Sequence, residues 1–272
     1  RSAVIGLFIV GIFTLLSLLA PLLAPYGPQE TVTSETGRAL TLEPPSLAHP
    51  MGTTHLGQDV LSQWMYGGQV SLLVGLTSGL AVVIIGTSVG LAAGYYKGVT
   101  DLLLMRVVDV LYAIPATPLV LVVAMFYGTS VWNVVIAFTL ILWRSEARSI
   151  RSQTLSLSER PFVKSARAAG ASDLRIMGIH ILPNLIPLIL IEGTFVIGAA
   201  IVLEAWISFL GLGATEMLSW GTMLQLTFSS GAINVAWWWV IPPGLSITVL
   251  VLSMFYISRG LEEITNPEVR RM

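Results

Sequence analysis

The sequence predicts an all-helical membrane protein with six transmembrane helices. Three observations carry that prediction: a composition poor in charge, six long apolar runs, and basic residues confined to alternate loops. Hydrophobic residues make up 54% of the 272 and charged residues 11%, with a mean hydropathy of +0.81, whereas a soluble domain is roughly a quarter charged. A helix needs about 20 apolar residues to cross the hydrocarbon core, because lipid offers no partner to a bare backbone. The runs 3–24, 70–95, 102–127, 131–150, 179–203 and 235–257 meet that length. With the N-terminus on the cytoplasmic side, inner loops and inner helix ends collect Arg1, Lys97, Arg106, Arg144, Arg148, Arg151, Arg160, Lys164, Arg167, Arg175, Arg259, Arg270 and Arg271. Only Arg38 then lies outside, which predicts an N-in, C-in topology. Trp64, Trp132, Trp206, Trp220 and Trp237 to Trp239 fall near the outer boundary, as an aromatic belt would.

The elements follow in order. The chain opens on Arg1 rather than Met, so further residues are expected to precede it. Its first apolar run is too long for a signal-peptide core and carries Pro21 and Pro25 where a cleavage site would stand, so it reads as a span. The loop 25–68 is rich in Pro, Thr and Glu and ends in an amphipathic stretch. There Leu56, Val60, Leu61, Trp64 and Met65 share one helical face opposite Gln58, Asp59, Ser62 and Gln63, which predicts an interfacial helix leading into the second span. Within that span Gly75, Gly79, Gly86, Gly90 and Gly94 line up small residues for close approach, to another helix of this chain or to a second subunit.

The third span carries Arg106 and Asp109, spaced to pair on one face. Arg144, Glu146 and Arg148 lie toward the inner end of the fourth, where snorkelling and local pairing are expected. Between spans four and five, residues 161–183 are polar and positively charged. Small residues Ala166, Ala168, Ala169 and Ala171 permit close approach, Gly170 stops a first helix, and Ser172 with Asp173 can cap a second. A waterside helix in such an apolar chain predicts a docking surface for something soluble. The fifth span holds Glu192 near its middle and Glu204 near its outer end, followed by Ser208, Phe209, Gly211 and Gly213. An acid inside a membrane is expensive and points to a cavity or partner. The two glycines mark either a structural bend or a gate. A short helix is expected at 219–226 in the outer loop. No repeat or linker divides the chain, which reads as one membrane domain: 1–68 for the first span and outer loop, 69–260 for a five-span core, 261–272 for a cytoplasmic tail.

Several function classes are disfavoured. No cysteine is present, so disulfides, thiolate metal sites and cysteine nucleophiles are absent, and a net charge of -1 does not suit a nucleic-acid binder. No phosphate-binding loop, zinc-protease or serine-hydrolase spacing occurs, so no catalytic residue, metal or cofactor is assigned to this chain. His49, His55 and His180 are scattered. Three readings are left: a transporter driven by a separate motor, an ion-coupled secondary transporter using Asp109, Glu192 and Glu204, and a membrane scaffold.

Residues 161–183 resemble the cytoplasmic loop of binding-protein-dependent ABC importer permeases, with Lys164, Ser165 and Ala166 at the E-A-A positions, Gly170 at the glycine and Ile181, Leu182 and Pro183 at the I-L-P end. LGQDVLS at 56–62, RVVDV at 106–110, LEA at 203–205, SFLGLG at 208–213 and SWG at 219–221 look like the dipeptide, oligopeptide and nickel branch. The resemblance implies a type I ABC importer permease fold in the cell's plasma or inner membrane, with coupling helices between spans four and five. It implies ATPase coupling through Phe162, Val163, Lys164, Ser165, Ala166, Arg167, Ala168, Gly170, Ala171 and Asp173, and a pathway or gate at Glu192, Glu204, Ser208, Phe209, Gly211 and Gly213. The implied partners are a homologous second permease in a heterodimer, two ATP-binding subunits that hold ATP and magnesium, and an extracytoplasmic solute-binding protein. Short peptides are the implied cargo, with nickel chelates, glutathione and oligosaccharides handled by relatives. The topology is testable: single cysteines replacing Thr36 or Ser230 are expected to react with an impermeant reagent from outside, and those replacing Ser158 or Asn266 only from inside. Labelling at position 158 from outside in intact cells would overturn the topology.

Overall fold

The computed structural model describes residues 2–127, 130–213 and 217–265. Arg1, Arg270, Arg271, Asn266 and the rest of the tail beyond Thr265 lie outside the described residues. The chain folds into helices throughout: α1 (Ser2–Leu18), α2 (Ala20–Leu23), α3 (Val60–Tyr96), α4 (Gly98–Ala113), α5 (Ala116–Tyr127), α6 (Val131–Ser158), α7 (Pro161–Ala168), α8 (Asp173–Arg175), a π-helical turn (Ile176–Ile181), α9 (Leu182–Phe209), α10 (Trp220–Ser229) and α11 (Trp237–Thr265). Among the described residues there is no strand, only three isolated bridges in the loop before α3. By length and composition, Val60–Tyr96, the continuous run Asp173–Phe209, and Trp237–Ile264 each suffice to cross a membrane, and α1 is a shorter apolar helix.

Several boundaries differ from the sequence expectation, each for a local reason. The third run is two helices. Pro115 has no N–H to donate and disfavours helical geometry at the residue before it, so Ile114 turns extended at ψ 121°. Arg144 of α6 donates to the carbonyls of Leu111 and Ile114 at that break, giving the freed acceptors a partner. The amphipathic stretch expected to lie at the interface is continuous with the second span, as the first turns of α3. Its polar side faces inward: Asp59, Ser62 and Gln63 are all buried. Asp59 caps α3 by accepting from the Ser62 backbone N–H at 2.8 Å, and also takes the Ser62 hydroxyl at 2.8 Å. His49 Nδ1 lies 2.9 Å from its other oxygen, while the Gln63 amide donates to the Pro28 carbonyl at 3.0 Å and Gln58 Oε1 at 2.8 Å. These polar residues pin the preceding loop to the helix end. The helix expected at 219–226 is α10, with Ser219 as its N-cap in a reciprocal capping box with Thr222.

The core lies where α3 runs between α6 and α9. An added Cβ at Gly90 would stand 2.5 Å from the Ala147 carbonyl oxygen and 2.8 Å from Ile150 Cβ, and one at Gly94 would stand 2.6 Å from Thr154 Cβ. Gly75 and Gly79 instead meet Ile201 and Ile197 of α9. The change of partner follows from helix geometry: a four-residue repeat gains about 40° per step, so the stripe turns about 100° between Gly75 and Gly94. The glycine face therefore serves packing within this chain. The tryptophans divide similarly. Trp132 and Trp237 are exposed as a belt requires, but Trp220, Trp238 and Trp239 are buried in the core beside α1 and α3, where Trp220 Nε1 donates to the Trp64 carbonyl at 2.9 Å.

Ser158 is only 5% exposed, so Ser172, exposed in the turn beyond α7, is the better reporter for that side. Replacing Gly90 by alanine should lower stability by about 1–3 kcal/mol, since the methyl meets backbone that cannot yield. Gly11→Ala in α1, where nothing lies within 4 Å, should leave the melting temperature in detergent unchanged or slightly raised. Equal melting temperatures for both variants would contradict this account of the core.

Candidate functional site: a lever and two buried acids

Beyond α6 the chain makes a compact helical hairpin. Pro161 occupies the first turn of α7, where a missing N–H costs nothing. α7 ends in a closed turn: the Gly170 N–H donates to the Arg167 carbonyl and the Ala171 N–H to the Ala166 carbonyl, at 3.0 and 3.1 Å. Gly170 sits at φ +81°, and nothing lies within 4 Å of an added Cβ. Its requirement is thus for backbone geometry rather than for space. Ala166 and Ala171, joined across this turn, both pack on the core formed by Tyr95, Ile150, Val163, Ile176, Met177 and Ile181.

This geometry sorts the predicted coupling residues into two groups. Val163 is fully buried and Ala166 and Ala171 half-buried against the chain's own core, so they support the hairpin. Phe162 at 42% exposure, with Ser165, Ala168 and Ala169, lies on the outward side, joined by Leu174 at 76%. Lys164 pairs with Glu159 at 3.2 Å, and Lys97 pairs with the same carboxylate. Those two cations, Lys97 foremost, hold the Glu159 carboxyl below the usual carboxylate range. Asp173 accepts a 2.7 Å hydrogen bond from the Tyr95 hydroxyl, and the Arg167 guanidinium lies 5.4 Å from the centre of the Tyr95 ring. Tyr95, Lys97 and Glu159 escaped the sequence reading. Lys97 counted only toward topology, and an aromatic at a helix end gives no signal of what it will touch.

The acids lie deeper. Glu204 is 3% exposed and fully partnered: it accepts from the Ser71 hydroxyl at 2.9 Å and the Ser208 hydroxyl at 2.7 Å. Ser71 in turn lies 3.4 Å from the Trp220 backbone N–H, so the cluster ties α3, α9 and α10 together. Past it, α9 ends in the same closed turn as α7: Gly211 at φ +78° donates to Ser208 and the Leu212 N–H to Ile207. Gly213 is buried against Ser208, and the ring of Phe209 lies 5.7 Å from that of Phe228. Glu192 is half-buried and accepts from the Ser149 hydroxyl. Beside it lies Glu146, 1% exposed, with neither carboxyl oxygen given a donor. Glu146 therefore does not snorkel; from α6 it packs against Gly86 of α3, beside Glu192 of α9. Asp109 pairs with Arg148 of α6 rather than with Arg106, and Arg151 grips Asp101, because α4 packs against α6 and brings those partners closer. Among the described residues no group of three or more His, Asp or Glu is placed to hold a metal.

Comparison with known proteins adds a third line. Residues 86–271 match the family model described as binding-protein-dependent transport system inner membrane component, and residues 1–45 match the N-terminal TM domain of oligopeptide transport permease C. The chain is 36% identical over 271 residues to the dipeptide transport system permease protein DppC of Alkalihalophilus pseudofirmus, covering 99% of this chain and 87% of that one. It is 38% identical over 231 residues to the glutathione transport system permease protein GsiD of Pectobacterium atrosepticum, covering 84% and 75% of the two. Among solved structures it matches a chain of the MetNI methionine ABC transporter in an inward-facing conformation, at a TM-score of 0.55 and 18% identity over 75% of this chain and 94% of that one. That likeness concerns the fold alone.

Proposed function

This chain belongs to the family of binding-protein-dependent transport system inner membrane components, and on that premise we propose that it supplies half of the path by which an ATP-driven importer moves short peptides. It is a permease subunit of an ABC importer, seated in the inner membrane. Relatives named for dipeptide and glutathione transport support a short peptide as the cargo. The spans are α1–α2, α3, α4–α5, α6, α9 and α11, with both termini in the cytoplasm and residues 1–68, 69–260 and 261–272 as first span with outer loop, core and tail. A homologous second permease completes the path, an extracytoplasmic binding protein delivers the solute, and two separate subunits bind ATP and magnesium and do the hydrolysis. An ion-coupled secondary transporter is not favoured, because the relatives match over nearly the whole chain as permease components.

The observation that carries the reading is the α7–α8 hairpin. It is too short to have a core of its own, rests its inner side on Tyr95, Ile150 and Ile176, and turns Phe162 and Leu174 outward. A rigid element with a small outward apolar patch suits insertion into the groove of a motor subunit, whose closure would move it as a lever. Glu204, with Ser208, Phe209, Gly211 and Gly213, is the gate in this reading, because one buried carboxylate holds three helices whose relative shift would open the outer end. Glu192 lies on the path below it.

Phe162→Asp combined with Leu174→Asp places unpaired charge in the groove, at a cost of about 2 kcal/mol or more. Capture of the neighbouring ATPase subunits by the tagged permease should fall at least tenfold, with membrane insertion intact. Unchanged capture and uptake would mean that the hairpin is an ordinary loop.

A further inference from the structure

The lever continues through the chain into α6 and into the run Asp173–Phe209, and side chains fasten it to a third helix, α3, that also reaches the Glu204 cluster. Tyr95 is 5% exposed, in the last turn of α3. Its ring packs with Val163 of α7 and with Ile176 and Met177 just beyond α8. Its hydroxyl donates to Asp173 of α8 at 2.7 Å, and Arg167 of α7 covers its face. One residue beyond the end of α3, Lys97 adds an ion pair to Glu159, which also holds Lys164 of α7. From Tyr95, α3 runs without a break to Ser71, the donor to Glu204. Twenty-four residues of α-helix amount to about 36 Å. Along that length the glycine face keeps α3 in backbone contact with α6 and then α9, so it has little freedom to bend independently of its neighbours.

We propose that Tyr95 is a positioning residue that clamps the α7–α8 lever to α3, so that movement of the lever is passed along α3 to the Ser71–Glu204–Trp220 cluster at its far end. This rests on the importer reading above and adds a route through α3, beside the direct continuation of the hairpin into α9, by which the motor would reach the gate. Asp173, grouped by sequence with the residues that meet the motor, belongs to this internal clamp instead. Loss of the clamp leaves the outward patch at Phe162 and Leu174 intact. The motor would still dock and hydrolyse ATP, but less of its movement would arrive at Glu204.

The test uses the full complex reconstituted with its ATPase subunits and binding protein. Tyr95→Phe removes the hydroxyl and keeps the ring, and Asp173→Asn removes the charged acceptor. Each should raise the ATP hydrolysed per solute imported about five- to tenfold, as expected for one lost hydrogen bond, and the double variant should add little to either single change. ATPase capture and melting temperature should stay unchanged in Tyr95→Phe. A far-end readout separates transmission from local support. In this cysteine-free chain, Met217→Cys, exposed just beyond Gly213, should change its labelling rate on addition of ATP in the Tyr95 background and change much less with Tyr95→Phe. If Phe162→Asp with Leu174→Asp abolishes capture while Tyr95→Phe and Asp173→Asn leave stoichiometry and labelling as they were, the clamp is refuted and the lever stands. If the Phe162 and Leu174 variant captures the motor normally, the importer reading of the hairpin fails first.

Discussion

Close approach of helix backbones along the glycine face of α3 is the constraint from which the rest of the structure follows. In lipid there is no hydrophobic drive to bring helices together, so association depends on contact area and on hydrogen bonds. Glycines at 86, 90 and 94 let α6 come within van der Waals reach of the α3 backbone, and Gly75 and Gly79 do the same for α9. Because the stripe winds, one helix holds two neighbours on adjoining sides. That fixes where Glu146 and Glu192 meet and where Ser71 reaches Glu204. It also sets the direction in which α6 delivers the α7–α8 hairpin.

Polar groups inside this assembly are matched to their cost. Glu204 has hydroxyl donors on both of its oxygens, and the carbonyls freed by Pro115 are taken by Arg144. Glu146 differs: among the described residues no hydroxyl or cation reaches its carboxyl, and its neighbour is the carboxyl of Glu192. An acid inside a membrane is costly unless partnered, so a satisfied one ties helices together. The two acids of α9 thus differ in kind: Glu204 ties α9 to α3 and α10, and Glu192 lies on the face shared with Glu146.

Much of this was legible in the sequence because it rests on local chemistry. The apolar runs located the long helices, Gly170 and Gly211 marked two helix ends where positive φ is required, and the short helix expected at 219–226 is α10. Partnerships across the fold were not legible. Arg106 and Asp109 share a helix face, yet Asp109 meets Arg148 because α4 packs on α6. Val163 and Ala166 look like a docking patch until the hairpin is seen to fold them inward onto Tyr95. The polar side of the stretch before the second span reads as water-facing, although it is buried under the loop it holds. In each case periodicity identified which residues share a face but not what covers that face. Pro115 is different: its effect is local, and a break in the third run could have been read from it.

The claim on which the account depends is that this chain carries solute only when a separate motor consumes ATP. Reconstitution in proteoliposomes with the second permease, the ATPase subunits and a peptide-loaded binding protein tests it directly. Peptide should accumulate against its gradient with ATP present and not without it. Accumulation that proceeds without ATP and follows an imposed ion gradient would contradict the account, and would return Asp109, Glu192 and Glu204 to the role of ion-coupling acids.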